Sequence, residues 1–582
     1  MISLCRFIGG VLAGTLLFGN TLVFAAGPLD VVPKDAALVG KLKAPQATLE
    51  KVGGFVNAGA PGFGFFVLGQ ANQLGVLISN TTLGGVDLKE DWYFAAFIEK
   101  NAAPSVVFIV PATDEKDLKE AVGKNFSFIS NDKWVAYSED AAAIELLSAC
   151  KAGKTKPITS VIDARANLLV NDSDLSIYVN LAKLRETYAE ELLQADKKLD
   201  EAIDGLKALT AGAATAPGMN LEAIWGMYGS LGHDVLQGVR DSDSFSLGVK
   251  ATNDALTIDE LLVVQKDSQA DKFLQSHPTS DLSLLARQPQ SQIAYFGAHG
   301  NAASVMKWGL NFSGSVFGEN EDAKKKLESI HKELSEVKFG AFTGSFGLVS
   351  PSDEGIISGV VIAEANPGSK MRDLGRRAQQ DLKFEVPGVK QDIKVKVDAE
   401  KVGDLTVDLY NVTQQFDESL PGGDAQKQIL EVAYGKGGIT QRITSTKDHY
   451  IQTIGGGADG MKAAITAFQS ATSSTPNAVS KSRARQLDKA NVLFMIDLPN
   501  LAYKGLMIAD ELASSGKVPP LPVPLPVAQL KNVKLDQSFV TFAAGTEAQG
   551  LRLRTEIPSS TIGGFFKLFQ AANTAGRAPR GN

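Results

Sequence analysis

The chain is poor in the residues from which covalent staples and reactive sites are made. It holds two cysteines, Cys5 and Cys150, among 582 residues. Cys5 falls in the leader described below, so one thiol remains, and one thiol makes no internal disulfide. Stability must come from core burial instead. Cys150 closes the helical pattern "AAAIELLSAC", whose spacing turns it towards a core, so it reads as an inert buried thiol. The five histidines (His233, His277, His299, His331 and His449) are too scattered for a local metal motif. C-x-x-C, H-E-x-x-H and the G-x-S-x-G elbow are all missing. Positive charge is outnumbered too, with 58 Lys and Arg against 65 Asp and Glu. A net charge of −7 and a pI near 5.5 argue against non-specific nucleic-acid binding. Past the leader, no run approaches the roughly 18 apolar residues of a membrane span. The sequence therefore predicts no cofactor, no metal, no nucleic-acid partner and no transmembrane span once the leader is removed.

What is present begins with that leader. "MISLCRF" supplies one positive charge, Arg6, before the uncharged "IGGVLAGTLLFGNTLVF" and the small-residue "VFAAG". This order is that of a secretory signal peptide over 1–26, cleaved near Ala25 or Ala26. Its removal takes away Arg6 and leaves a net charge of about −8. A periplasmic or extracellular protein is expected. At 44% hydrophobic and 21% charged residues, the remainder has ordinary globular composition. The tail 576–582 is expected to be disordered.

The chain also repeats itself. "DLSIYVNLAKL" (Asp174 to Leu184) rhymes with "NVLFMIDLPNL" (Asn491 to Leu501). Each is an apolar strand pattern, then Asn or Asp, then a helix. Strand, turn and helix open both "DAALVGKLKAPQATLEKVGGFV" and "SQIAYFGAHGNAASVMKWGLNF". "DKWVAYSEDAAAIELLSA" answers "KDHYIQTIGGGADGMKAAITA". An α+β fold of two homologous halves follows, with mainly antiparallel sheets covered by helices on one face. The first half is 28–280, with sub-units near 28–155 and 156–280. The second is 281–575, with sub-units near 281–472 and 473–575 and an insertion at 382–445.

Two stretches are candidate partner-binding loops, because large exposed apolar segments usually meet a partner. "GGFVNAGAPGFGFFVLGQ" (Gly53 to Gln70) carries Phe55, Phe63, Phe65 and Phe66. "KVPPLPVPLPVAQL" (Lys517 to Leu530) carries Pro520, Pro522, Pro524 and Pro526 and reads as polyproline-like chain.

"VVFIVPATDEKDLKEAV", "DKWVAYSEDAAAIELL" and "DLSIYVNLAKL" together resemble a family of large secreted bacterial proteins carrying a domain of unknown function. Pro111 and Asp114 match its P-x-x-D, and Tyr178, Asn180 and Leu181 match its later strand. Asn180 departs from the usual Asp, which Asp497 keeps. The resemblance implies export and a repeated α+β build, and it implies no activity.

Chemical motifs are weak. "GGGADG" (Gly455 to Gly460) satisfies G-x-G-x-x-G between a strand and a helix, as a dinucleotide loop would. Its counterpart "SEDAAA" lacks glycine and carries acids that would repel a pyrophosphate, so a structural turn is expected. "KAGKTKP" (Lys151 to Pro157) follows a helix and reads as a glycine-terminated helix end. The leading expectation is a non-catalytic envelope protein that binds a protein, lipid or polymer. The alternative is a hydrolase with a site between the halves, built from Asp114, Asp497 or His299. Asn180 and Asp497 are read as helix caps rather than as a site, because each stands where a strand hands over to a helix.

Overall fold

The computed structural model describes residues 27–131, 133–211, 221–301, 325, 329–330, 332–381, 389–416, 423–470, 478–515 and 527–575. The leader, the four prolines of the Pro-rich stretch, His331 and the tail lie outside the described residues. The described residues pack as two compact units. One takes in the chain up to Asp196, Val235–Gln275 and Thr546–Phe566. The other takes in Lys197–Asp234, Ser276–Gly545 and the chain from Lys567 onward. The fold is α+β, and every strand pairing described is antiparallel.

The first unit holds β1 (Leu38–Leu42), β2 (Trp92–Phe97), β3 (Ser105–Pro111), β4 (Ser127–Asn131) and β5 (Trp134–Ser138). It continues with β6 (Leu175–Asn180), β7 (Ser242–Ala251) and β8 (Ala255–Val264). Their pairings give the order β4-β5-β3-β2-β1-β6-β7-β8. The second unit holds β9 (Ala294–Ala298), β10 (Lys338–Ser352), β11 (Gly355–Asn366), β12 (Val389–Val402) and β13 (Leu405–Phe416). It adds β14 (Ile439–Ser445), β15 (His449–Gly455), β16 (Val492–Ile496) and β17 (Val540–Glu547). Here the order is β12-β13-β14-β15-β11-β10-β9-β16-β17. Apart from β12 and β13, the second order matches the run from β4 to β7 of the first strand for strand, and β8 has no counterpart in it. β12 and β13 form a long hairpin in the stretch expected as an insertion. The last strand, β18 (Gly550–Pro558), pairs with β8 from Gly550↔Val263 to Pro558↔Ala255.

Helices fill the connections. The first are α1 (Pro45–Gly59), α2 (Gly64–Leu68), α3 (Ala71–Leu77), α4 (Glu115–Val122), α5 (Ala141–Lys151) and α6 (Ala164–Asp172). Between β6 and β7 come α7 (Leu181–Thr187), α8 (Ala189–Ala211) and α9 (Leu221–Asp241), and α10 (Gln269–Gln275) follows β8. Later come α11 (Gly368–Asp381), α12 (Gly423–Tyr434), α13 (Gly457–Gln469) and α14 (Ala478–Ala484). The last are α15 (Leu498–Ser514), α16 (Val527–Leu530) and α17 (Ser559–Ala575).

Alternation along the strands builds the cores. In the first unit Val39, Ala95, Val107, Ile109, Ala136 and Tyr178 meet Leu147 of α5 and Leu169 of α6. The intervening residues Val110, Val135 and Tyr137 meet Leu118 of α4, so β5 is buried on both faces. The Tyr137 hydroxyl donates to the Ile78 carbonyl at 2.7 Å, which satisfies its buried oxygen. In the second unit Tyr295, Val360, Ile362, Ile451 and Leu493 meet Met461, Ile465 and Phe468 of α13. Cys150 is free and buried, and burial pushes its thiol up from the ordinary range.

The stretch from Gly53 to Gln70 corrects the sequence expectation. It is not a loop but the end of α1, a turn and α2. Its glycines serve close backbone approach rather than irregularity. A Cβ on Gly64 would lie 2.4 Å from the Gly53 carbonyl oxygen, and one on Gly59 would lie 2.6 Å from that of Ser559. Small residues thus let α1 lie directly against α2 and α17. Phe55 is buried in α1, 5% exposed, because it falls on the helix face turned to the core. It is therefore core and no part of a binding surface.

Candidate functional site

The apolar surface grows from α1 and α2. Pro45 occupies the first turn of α1, where a missing N–H costs nothing. The chain then turns at Pro61 and Gly62, and Gly62 has a φ of 89° that favours glycine. α2 follows and presents its aromatic rings outward. Phe63, Phe65 and Phe66 are 46%, 61% and 57% exposed. Their rings pack on one another, with centroids 4.0 Å apart for Phe65 and Phe66 and 5.7 Å for Phe63 and Phe66. Phe63 also meets Phe566 of α17 edge-on at 5.6 Å. Leu68 beside them, Val76 and Leu77 on α3 and Phe565 on α17 are exposed as well. Between Lys51 and Asp87 the sequence has no charged residue. The structure thus places Phe63, Phe65 and Phe66 together at the surface and removes Phe55 from them.

Asn180 and Asp497 sit at matching joints. Asn180 Oδ1 accepts from the Lys183 N–H at 3.0 Å, and Asp497 Oδ1 accepts from the Asn500 N–H at 3.1 Å. The backbone N–H of Asn180 donates to the Ala37 carbonyl, and that of Asp497 donates to the Ile293 carbonyl. Ala37 and Ile293 each stand just before the strand that pairs with β6 or β16. Asp497 is wholly buried, and burial pushes its carboxyl up from the ordinary range, against the hydrogen bonds from Asn500 and Ser538.

Within the second unit the candidates for chemistry do not converge. Asp497 follows one end of β16, and His299 lies beside Asn491 at the other end, roughly 17 Å away along five strand residues. Asp114 caps α4 in the first unit, accepting from the Lys116 and Asp117 N–H groups. Burial lowers the pKa of His449, whose ring lies edge-on to Phe468. His233 bonds Asp200 at 2.9 Å on the α8–α9 hairpin. Among the described residues, no group of three or more His, Cys, Asp or Glu is placed to hold a metal ion.

The glycine turn is occupied from within. Gly455, Gly456 and Gly457 all have positive φ. The Gly457 N–H donates to the Glu354 carboxylate at 2.9 Å, and Arg442 holds that carboxylate through two nitrogens at 3.0 and 3.1 Å. A pyrophosphate arriving there would meet a fixed anion, so the turn is structural.

Sequence reasoning missed one charged centre, that around Asp408 on β13. Asp408 is fully buried and bonded by both Arg372 and Arg376 of α11. Burial opposes its ionisation, but the two guanidiniums outweigh burial and hold its carboxyl well below the usual range. The adjacent Tyr410 is pushed up to about 12 by burial. This cluster ties α11 to the β12–β13 hairpin. The only sequence signal was an acid inside the strand pattern "DLTVDLY".

No family model matches the chain, and no curated protein matches it. Among solved structures, it is similar to crystal form III of TP0453, at 8% identity over 49% of this chain and 97% of that one, with a TM-score of 0.17. Crystal form I of TP0453 gives 8% identity, 49% and 96% coverage, and a TM-score of 0.18. Scores this low define neither fold nor function. No helix among the described residues is long and apolar enough to cross a membrane.

Proposed function

We propose that the protein is exported to the periplasm or cell envelope and acts there as a non-catalytic binding protein. Its partner is a protein, lipid or polymer met through apolar surface. The observation that carries this reading is the exposed cluster of Phe63, Phe65 and Phe66 on a helix packed against its neighbours. Monomeric surfaces seldom keep so many large apolar side chains together without a use for them. The leader, with Arg6 before an uncharged apolar run and small residues, supports export. The matching strand orders and matching caps support descent of the two halves from one duplicated α+β unit. The family resemblance at Pro111, Asp114, Tyr178 and Leu181 belongs to the same proposal.

Fractionation of cells producing the full chain, with mass measurement of its amino terminus, tests the export step. A product beginning near Gly27 outside the cytoplasm is expected. An uncleaved cytoplasmic product would sink it. Retention on envelope extract tests the binding step: wild type should be held, and the double variant F65S/F66S should be released.

A further inference from the structure

We propose that the second unit binds the hydrocarbon chain of a long-chain fatty acid on the open face of β10, β9, β16 and β17. This site is separate from the phenylalanine cluster of α2 and does not depend on it.

The sheet is inside out at this place. Directly paired residues share a face, so the register lays out rows across the four strands. The middle row runs Gly344, Phe296, Phe494 and Phe542. The rows on either side of it on that face add only Ala, Val, Ile and Phe. An antiparallel sheet with one solvated face turns its polar residues outward. Here they turn inward. Gln288 Nε2 donates to Thr343, Ser345 donates to Gln288 Oε1, both at 2.9 Å, and Gln486 donates to Thr541, all of them buried. The apolar rings take the outer side. Phe342, Phe494 and Phe542 are 42%, 40% and 37% exposed. Phe296 lies over Gly344, where a Cβ would come within 2.1 Å of its ring, and meets Phe342 edge-on at 6.0 Å.

The first unit shows that the pattern alone does not leave such a face open. Its matching strands β2, β1, β6 and β7 carry equally apolar rows, with the close pair reversed as Phe94 over Gly40. Trp92 and Leu247 stand at the positions of Phe342 and Phe542, and both are buried. Trp92 clusters with Ile78, Val86 and Leu118. One copy of the face is closed by the fold, and the other presents rings.

Size and chemistry select the occupant. Four strands side by side, with five paired residues along each, cover ~14 Å by ~14 Å. That is roughly 200 Å², about a quarter of what each partner brings to a stable protein interface. The strand amides are engaged in the ladder, and no side chain in these rows donates or accepts a hydrogen bond. A protein partner would expect about one hydrogen bond per 100–200 Å². Rings less than half exposed make a floor for a single molecule rather than a wedge for a bilayer. A hydrocarbon chain laid across them needs nothing but apolar contact. With no cation in these rows, the carboxylate of the fatty acid stays in water.

The test uses the mature chain and the fluorescent fatty acid dansyl-undecanoic acid. Wild type should brighten the probe and shift its emission to the blue, and palmitate should displace it where butyrate does not. F494S/F542S should bind the probe about a hundredfold more weakly, from the loss of two ring contacts. Its melting curve reports whether it is folded. F494W keeps a ring at the site, so it should retain the probe and shift its own emission to the blue when palmitate is added. If F494S/F542S does not fold, that F494W shift decides alone. No probe binding by wild type, equal binding by folded F494S/F542S, or no F494W shift overturns the assignment. F494W emission already blue without ligand would mean that the chain covers its own face, and emission that turns blue only at high protein concentration would mean a second copy does; either overturns it. Loss of the probe by F65S/F66S, with F494S/F542S binding as wild type, would move the site to α2, so that the sheet assignment falls and the reading of the phenylalanine cluster stands.

Discussion

At the end of β6 stands an amide, Asn180, and at the end of β16 stands a carboxylate, Asp497. Both cap the following helix with one oxygen, but the second polar atom differs. Asn180 Nδ2 donates to the Lys34 and Ala36 carbonyls at 3.0 and 3.4 Å. Asp497 Oδ2 instead accepts from the Asn500 amide at 2.8 Å and the Ser538 N–H at 3.2 Å. At the opposite ends of the same strands the chemistry is exchanged. Asp174 accepts from the Ala251 N–H and pairs with Lys51, whereas Asn491 donates to the His277, Pro278 and His299 carbonyls. Each site takes an amide where carbonyls face it and a carboxylate where N–H groups face it. The residue type is set by the neighbouring backbone, and a reaction is not needed to explain it.

The largest effect should come from forcing the wrong polarity. Asn180→Asp would aim a buried carboxylate at the Lys34 and Ala36 carbonyls and should cost about 3 kcal/mol in urea unfolding. Asp497→Ala removes the cap and strands the Ser538 N–H, so about 2 kcal/mol is expected from the same measurement. Asp174→Asn keeps an acceptor for Ala251 and loses only the pair with half-exposed Lys51, so a cost under about 1 kcal/mol is expected.

The smallest effect separates the two caps by pH. The folded Asp497 carboxyl lies above its unfolded value, so the native state keeps a proton that the unfolded chain has released. Its contribution to stability therefore falls as pH rises from about 3.9 through the raised folded value. The melting temperature of wild type, measured against that of Asp497→Asn from acid to neutral pH, should show this decline. Asn180→Ala should leave that pH dependence as it is, because Asn180 does not titrate. A wild-type profile parallel to that of Asp497→Asn would remove Asp497 as the titrating group.

The caps and most of the strands were legible because they depend on local pattern. Alternating residues marked β6 and β16, and an Asn or Asp before a helix marked the joint. The second hydrogen bonds were not legible, since Lys34 lies 146 residues from Asn180 in sequence. The helices of Gly53–Gln70 were hidden for a similar reason. Glycine there reflects Gly64 meeting the Gly53 backbone and Gly59 meeting that of Ser559, and the second contact no local window reports. The pairing of β18 with β8 and the enclosure of Asp408 by α11 are likewise contacts between distant segments. Phe63, Phe65 and Phe66 were found by composition, but only three-dimensional packing separates them from Phe55.

In the proposed reading, contact falls to the phenylalanine surface and scaffolding to the caps. The most direct test compares F65S/F66S with Asp497→Ala for retention of the mature chain on envelope material, well below both melting temperatures. Release of F65S/F66S with Asp497→Ala held as firmly as wild type is the predicted result. Release of folded Asp497→Ala with F65S/F66S still held would contradict it.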